Sequence, residues 1–236
     1  MGNTRSPCPE TSSGESSLPC QGHIQQLVSC KTVQVVPPQH EIFSQEDTPH
    51  SAYLICSGLV KLTRTESSGQ RVIIGLRRAG WLLGAVTVLS EMPYICTAET
   101  VIRSRLCFVP KDQLKQAMQT NASFSLWISM MFSRGYYSSV LNIKDRSCLS
   151  GRQRLEKFLR EVVNLDGRNA EKAVKLPILL KQWEVAQLLG LTPQHLSRLV
   201  KQMENEGLVA RKKGWLILPE PKRLWHPDTA SAFIPA

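Results

Sequence analysis

The sequence lacks any apolar run long enough to cross a membrane. Its longest stretch without a charged residue lies between Lys115 and Arg134, and glutamine, threonine, asparagine and serine interrupt it. A spanning helix needs about 20 predominantly apolar residues. The N-terminus, MGNTRSPCPETSSGESS, also lacks the apolar centre of a signal peptide. We therefore expect a cytoplasmic protein with no membrane partner.

Acidic residues are scarce. The 236 residues include 29 lysines and arginines but only 19 aspartates and glutamates, a net charge of +10. Residues 1–149 carry net +4, whereas the shorter segment 150–236 carries net +6. Such an excess is either a solvated basic surface or a site for a polyanion. If the chain binds nucleic acid, we expect the binding surface in the C-terminal part, where positive charge is denser.

Closely spaced cysteine pairs are absent, although there are seven cysteines, at positions 8, 20, 30, 56, 96, 107 and 148. In a cytoplasmic chain we expect thiols, metal ligands or sensors rather than structural disulfides. Cys8, Cys20 and Cys30 lack the C-x₂-C spacing common in iron–sulfur ligation. No spacing selects His23, His40 or His50 as haem ligands, so an iron–sulfur cluster or haem is unsupported and no metal site is predicted.

Two interpretations of the cysteines remain open. Cys56, Cys96 and Cys107 are expected to be small core residues. Cys148 is a candidate redox switch, because it lies between a long helix and the basic C-terminal part.

Signatures of catalysis are also missing. We find no nucleophile–base pair, no phosphate-binding loop and no metal-ligand spacing. The chain is therefore not expected to be an enzyme.

What is present divides into a β-rich half and a helical half. Residues 1–20 predict a disordered tail and 21–32 a short helix. Short β-branched runs between turn residues follow, which favours a sandwich, roll or barrel. These runs are Ser51–Cys56, Leu59–Thr65, Arg71–Leu76 and Thr97–Val109.

The helical half begins with a helix over Lys111–Thr120 and a longer one over 124–147, which Ser123 is expected to cap. The longer helix carries more apolar residues than an exposed helix needs. It packs either on its own β domain or on a second copy of the chain, and no heptad register decides between them. An amphipathic helix over Arg152–Leu165 and a polar loop over 166–175 come next.

Residues 182–209 carry a helix-turn-helix signal. Gly190 separates two helical patterns and permits the positive φ of a tight turn. Thr192 suits an N-cap, Pro193 the first helical position and Gly207 the C-terminal stop. The apolar positions of both helices are expected to fill the wedge between them: Val185, Ala186, Leu189, Leu191, Leu196 and Leu199.

The second helix separates into two faces. Its leucine face lies roughly 200° from a polar and cationic face. On that face Arg198 suits bidentate contact to guanine, Gln194 suits adenine, and Ser197 either base type. A strand, basic turn and strand follow, which predicts a wing. The residues expected to contact phosphates are Thr192, His195, Lys201, Lys212 and Lys213.

The whole chain resembles the bacterial Crp/Fnr family. The match lies in SAYLICSGLVKL, SSGQRVIIGLRRAGWLLGA and TAETVIRSRLCFVP, and in VAQLLGLTPQHLSRLVKQMENEGLV. The resemblance implies an α+β fold with an N-terminal β-roll (cupin-like, cyclic-nucleotide-binding-like), a long dimerisation helix and a C-terminal winged helix-turn-helix. The implied division is a tail at 1–20, the β-roll sensor at 21–122, the dimerisation helix at 123–149, the DNA-binding domain at 150–225 and a tail at 226–236.

By the same resemblance, the protein is a homodimer that binds double-stranded DNA at an inverted repeat and contacts RNA polymerase. Ser197 and Arg198 resemble the fumarate–nitrate branch, whose half-site is of the TTGAT type. Gln194 departs from it, because that branch typically has glutamate there.

The implied effector pocket comprises Gly84, Ala85, Cys96 and Thr97. Cyclic-nucleotide binders of this fold carry a glutamate just after the glycine and an Arg-Ser or Arg-Thr pair farther on. Here Ala85 replaces the glutamate, and neither Ile95 nor Cys96 supplies a cation. A buried phosphate would lack a charge partner, so a cyclic nucleotide is not expected. The alternative function, a cyclic-nucleotide-type sensor module that regulates a partner protein, leaves the recognition helix unexplained.

Overall fold

The computed structural model describes residues 33–164, 173–177, 180–212 and 215–224. The predicted tails at 1–20 and 226–236 and the predicted helix over 21–32 lie outside these residues.

The N-terminal part is a β-roll of two four-stranded antiparallel sheets, ordered β1-β8-β3-β6 and β2-β7-β4-β5. Gly58 joins two strands at a positive φ of 111°, and a Cβ there would lie 2.1 Å from Ser104 Oγ, so only glycine fits. The strands are β1 (Val33–Val36), β2 (Glu41–Phe43), β3 (Ser51–Ser57), β4 (Leu59–Thr65), β5 (Arg71–Arg78), β6 (Leu82–Leu83), β7 (Thr97–Thr100) and β8 (Ser104–Pro110).

The predicted strands form, with one difference. The run Thr97–Val109 is two strands rather than one, because a bend at residues 101–103 carries the chain from one sheet to the other. One apolar cluster fills the space between the sheets and includes Phe43, Ile55, Val60 and Leu106.

Three helices accompany the roll: α1 (Ala85–Ser90), α2 (Lys111–Thr120) and α3 (Ala122–Cys148). The prediction that Ser123 caps the long helix is wrong. Asn121 is the N-cap, and its side-chain oxygen accepts a 2.9 Å hydrogen bond from Phe124 N. The first turns of α3 are buried against the roll through Phe124 and Ile128.

The C-terminal part comprises α4 (Gly151–Asn164), β9 (Val174–Pro177), α5 (Gln182–Leu188), α6 (Pro193–Asn205), β10 (Ala210–Lys212), β11 (Trp215–Leu218) and a short 3-10 helix (Pro221–Leu224). The polar loop that the sequence predicts over 166–175 is wrong at its end, because strand β9 begins at Val174. It pairs with β11 and completes a sheet ordered β10-β11-β9. A single apolar cluster joins α4, α5, α6 and this sheet.

Candidate nucleic-acid interface and sensor pocket

The turn between α5 and α6 has the predicted geometry. Gly190 adopts a φ of +62°. Thr192 is the N-cap of α6, and its hydroxyl accepts a 3.2 Å hydrogen bond from His195 N. Pro193 occupies the first turn, where its missing N–H leaves no hydrogen bond unmade. These features begin α6 at a defined residue and so set which side chains face outward.

The two faces of α6 differ in burial as predicted. Leu196, Leu199 and Met203 are buried in the C-terminal core. Gln194, Arg198 and Lys201 are exposed, and no ion pair is found for either of these two cations within the described residues. An exposed cationic face without internal carboxylate partners is free to bind phosphates or base edges.

Ser197 is held by a residue that the sequence had not singled out. Gln182, on α5, donates from Nε2 to Ser197 Oγ at 2.9 Å and to the carbonyl oxygen of Pro193 at 3.1 Å. The Ser197 hydroxyl proton stays available for an acceptor. Gln182 therefore ties the exposed face of α6 to α5; only the three-dimensional crossing of the helices shows this.

The opposite end of α6 is fastened by Arg152 of α4. Its guanidinium donates two hydrogen bonds to Glu206, at 3.0 and 2.5 Å, and one to Glu156 at 2.6 Å. These bonds raise the pKa of Arg152 and lower the pKa of Glu206. The acidic end of α6 is thus neutralised within the domain and does not oppose the cationic face.

The wing is formed by β10 and β11, which pair antiparallel with Lys212 opposite Trp215. Lys212 is exposed and Arg211 pairs with Glu204 at 3.6 Å. Lys213, the other predicted phosphate contact, lies outside the described residues.

The predicted effector residues fall into two groups. Gly84 has a φ of +71°, and a Cβ there would meet the Tyr94 ring at 2.7 Å. Ala85 is buried in the cluster under α3, whereas Cys96 is buried in the cluster between the sheets. Thr97 is half-buried, and its hydroxyl accepts a hydrogen bond from Gln45 N at 3.0 Å. The four residues therefore do not share one cluster.

The interior of the roll nevertheless contains a cation, supplied by β5. Arg77 stacks on Trp81, with Cζ 4.5 Å from the ring centroid, and donates to the carbonyl oxygen of Leu76 at 2.8 Å. Burial lowers the pKa of Arg77, and nearby Cys96 opposes that shift. Burial also raises the pKa of the Cys96 thiol. Arg77 lies opposite buried Val60 of β4 and shares its inward face, whereas a bulge in the pairing of β4 with β5 puts Ile73 on the other face of the sheet. Simple strand alternation in the sequence therefore does not reveal the direction of Arg77.

Trp81 connects this cation with the long helix. A Cβ on Gly135 of α3 would lie 3.2 Å from the Trp81 ring. The residues Arg77, Trp81 and Gly135 thus form a continuous contact from β5 to α3.

The cysteines occupy different environments. Cys96 is buried and Cys56 half-buried beside the core, as predicted. Cys107 is fully buried and disulfide-bonded, so the expectation of thiols is wrong at this position. Cys148 ends α3 and is exposed. Cys8, Cys20, Cys30 and His23 lie outside the described residues.

Across the described ranges, no group of three or more histidine, cysteine, aspartate or glutamate residues could hold a metal ion. His40 and His50 are both exposed. Within the same ranges, no helix is both long and apolar enough to span a bilayer.

Comparisons with known proteins agree with this architecture. Residues 33–121 match the family described as cyclic nucleotide-binding domain, and residues 153–226 match the Crp-like helix-turn-helix domain. A β-roll, a long helix and a winged helix in this order define a Crp/Fnr-type regulator. The chain belongs to the Crp/Fnr family.

Relatives carry names in keeping with that family. The chain is 24% identical to Electron transport regulator A of Shewanella oneidensis over 78% of this chain and 73% of the relative. It is 23% identical to the nitrogen fixation regulation protein FixK of Azorhizobium caulinodans, over 92% and 82%. The structure of FixK2 from Bradyrhizobium japonicum superposes with a TM-score of 0.67 at 19% identity, covering 82% of this chain and 94% of that one.

Proposed function

We propose that this protein is a homodimeric transcription regulator that binds an inverted-repeat DNA site through α6. It is not an enzyme, and its N-terminal part senses an effector or a redox signal other than cyclic AMP. The division into a sensor at 21–122, a dimerisation helix at 123–149 and a DNA-binding domain at 150–225 belongs to this proposal, as does contact with RNA polymerase.

One observation carries the proposal: Gln194, Arg198 and Lys201 are exposed together, on the face of α6 opposite its buried leucines. Arg198 and Gln194 suit base edges in the major groove. His195 is half-buried near the N-cap and Lys212 is exposed on β10, and we assign both, with Thr192 and Lys201, to phosphate contact. The alternative, a sensor module acting on a partner protein, gives this cationic face no role.

The second half of α3 supports the dimer. It exposes apolar side chains that its own β-roll leaves uncovered: Tyr136, Tyr137, Val140 and Ile143. A second copy of α3 would cover them and place two α6 helices on one DNA duplex.

The effector proposal rests on the departures at Ala85, Ile95 and Cys96. Ala85 is fully buried and offers no hydrogen bond to a ribose. We therefore expect no heat signal when cyclic AMP is titrated into the purified protein. A micromolar response would refute this part of the proposal and leave the DNA-binding part standing.

Selection from random duplexes tests the DNA-binding proposal. The full chain should enrich an inverted repeat with half-site centres about one helical turn, or about 10 bp, apart. Arg198→Ala should enrich a site that has lost its base preference at one position of each half-site, whereas Arg103→Ala, which removes an exposed arginine from the bend between β7 and β8, should enrich the wild-type site. Failure of the wild-type chain to enrich any sequence would refute the proposal.

A further inference from the structure

Helix α5 of the helix-turn-helix lies directly against the edge strand of the sensor sheet. Strand β5 is the last strand in the order β2-β7-β4-β5, so one of its edges has no neighbouring strand among the described residues. The side-chain amide of Gln187 on α5 bonds to that edge. Its Oε1 accepts from Ile73 N at 3.0 Å, and its Nε2 donates to the carbonyl oxygen of Arg71 at 3.3 Å.

A buried charge network reinforces this contact. Lys61 Nζ lies 2.8 Å from Glu184 Oε1 on α5 and 2.9 Å from Glu99 Oε1 on β7. The side chains of Lys61, Glu184 and Glu99 are only 12%, 3% and 16% exposed. Arg71 Nη2 adds a bond to Glu99 at 3.1 Å, so two cations balance two carboxylates.

The network is satisfied despite its burial. Burial opposes the charge on Lys61, but hydrogen bonds to Glu184 and Glu99 together outweigh it and raise the Lys61 pKa. Buried charges that are paired in this way depend strongly on geometry. Displacement of α5 would separate Glu184 from its cation.

Glu184 also caps the start of α5. Its Oε2 accepts a 2.7 Å hydrogen bond from Lys181 N, the N-cap residue, in a capping box. The same carboxylate therefore sets the start of α5 and fastens that helix to the sensor. Because Gln182 joins α5 to Ser197 of α6, the position of the recognition helix follows from the position of α5.

The sensor side of the network is close to the predicted effector segment. Thr97 and Glu99 lie on the same face of β7, opposite Thr63 and Lys61 of β4. Arg64, also on β4, donates to the carbonyl oxygen of Ile95 at 2.8 Å. A ligand that moved residues 95–97 would act on Glu99 two residues farther along the same strand.

We propose that Lys61, Glu99, Glu184 and Gln187 form a docking surface that positions the recognition helix against the sensor sheet. The docked arrangement keeps Gln194, Arg198 and Lys201 exposed, so it holds the reading face ready for DNA. In a dimer it presents both α6 helices at a fixed separation. The inference rests on the proposed DNA-binding function and goes beyond it by assigning sensor residues a role in site recognition.

The test compares a duplex that carries both half-sites with a duplex that carries one. Fixed positioning increases the affinity for the full site through the effective concentration of the second α6 helix. We expect Gln187→Ala to reduce the ratio of full-site to half-site affinity by about tenfold, with half-site affinity unchanged. Gln116→Ala, at an exposed glutamine on α2, should leave the ratio at the wild-type value.

A charge variant provides a second measurement. Lys61→Met leaves Glu184 and Glu99 buried without their shared cation and should reduce the ratio at least as much as Gln187→Ala, whereas Lys61→Arg should restore part of it. Variants that merely unfold would lose full-site and half-site binding equally, and the thermal melting profile of each full-length variant identifies them. Gln187→Ala does not alter any buried charge. It therefore still tests the positioning role if Lys61→Met unfolds.

The outcomes separate this inference from the proposed function. A wild-type chain that shows no site preference would refute the proposed function itself. A wild-type chain that prefers the full site, with an unchanged or increased ratio in folded Gln187→Ala, would refute the positioning role. An increase would mean that docking holds α6 away from the DNA.

Discussion

Arg198 and Arg77 occupy different domains and face opposite ways. Arg198 projects into solvent from a helix whose other face is buried, and it has no carboxylate partner in the described part of the chain. Arg77 projects into the β-roll, where one carbonyl oxygen and the Trp81 ring are its contacts. Water solvates the first cation, whereas the second is desolvated, with no neutralising acid among the residues that the structure describes.

The two arginines differ in what an unpaired charge costs the fold. An unneutralised outward cation has little effect on stability and provides a surface for phosphate or guanine. An unneutralised inward cation lowers stability and is retained where it has a use. The outward cation of the helix-turn-helix is therefore suited to contact with DNA, while the inward cation of the β-roll calls for a stability measurement.

The largest expected effect concerns the proposed dimer contact along α3, the helix that connects the two domains. Val140→Asp combined with Ile143→Asp places charges on the exposed apolar face of α3, which a second copy would bury. Sedimentation should show a monomer, and affinity for the full inverted repeat should fall by about 100-fold or more.

Val86→Asp is the matched control, because Val86 is an exposed valine on α1. It should sediment as the wild type does. A double variant that remains dimeric would show that another surface joins the copies.

Arg77 should lower the free energy of unfolding of the wild-type protein. Arg77→Met replaces a desolvated cation with an apolar chain of similar length, and we expect the free energy of unfolding to rise by about 1–2 kcal/mol in the absence of effector. Thermal melting of the ligand-free protein measures this as a higher Tm.

Arg78→Met changes the next residue, on the opposite face of β5, and should alter the free energy of unfolding by less than about 0.5 kcal/mol. If Arg77→Met instead lowers the Tm, the contacts to Trp81 and Leu76 stabilise the fold and the comparison of the two arginines fails.

The wing should contribute to affinity without sequence preference. Lys212→Ala should weaken binding to specific and random duplexes alike, by a few-fold. The slope of log affinity against log salt should fall by about 0.9, the value for one phosphate contact. A loss confined to one sequence would assign Lys212 to base contact instead.

The smallest effect is expected at Cys148. Its thiol is exposed at the end of α3, away from the buried network that joins α5 to the sensor. Cys148→Ser should change DNA affinity by less than about twofold under reducing conditions. Treatment with oxidant should then separate wild type from variant only if Cys148 is the redox switch; equal responses would remove it as a candidate.

The sequence was informative where short-range patterns decide the structure. Gly190, Thr192 and Pro193 define a turn and a helix start within a few residues, and their geometry is as expected. The sequence predicts Ser123 as the cap of α3, whereas the structure has Asn121, whose side chain accepts a hydrogen bond from Phe124 N. Serine and asparagine are both good N-caps, so residue type alone does not separate them.

Long-range contacts were not predictable in the same way. The bond between Gln187 and β5 joins residues more than 100 positions apart, and no local pattern indicates it. Arg77 was visible only as one arginine of a pair, and its inward direction depends on the register of β5. Strand β9 begins inside the segment 166–175 that the sequence predicts as a polar loop, and its pairing with β11 and the burial of Val174 become visible only in the fold.

The decisive measurement is base discrimination by Arg198. Wild-type protein and Arg198→Ala are titrated with the selected duplex, with duplexes changed at each base pair of one half-site, and with a random duplex. We expect Arg198→Ala to lose about 1–3 kcal/mol of binding free energy on the selected duplex and to lose base preference at a single position. Preference that survives unchanged at every position would contradict the assignment of α6 as the reading helix.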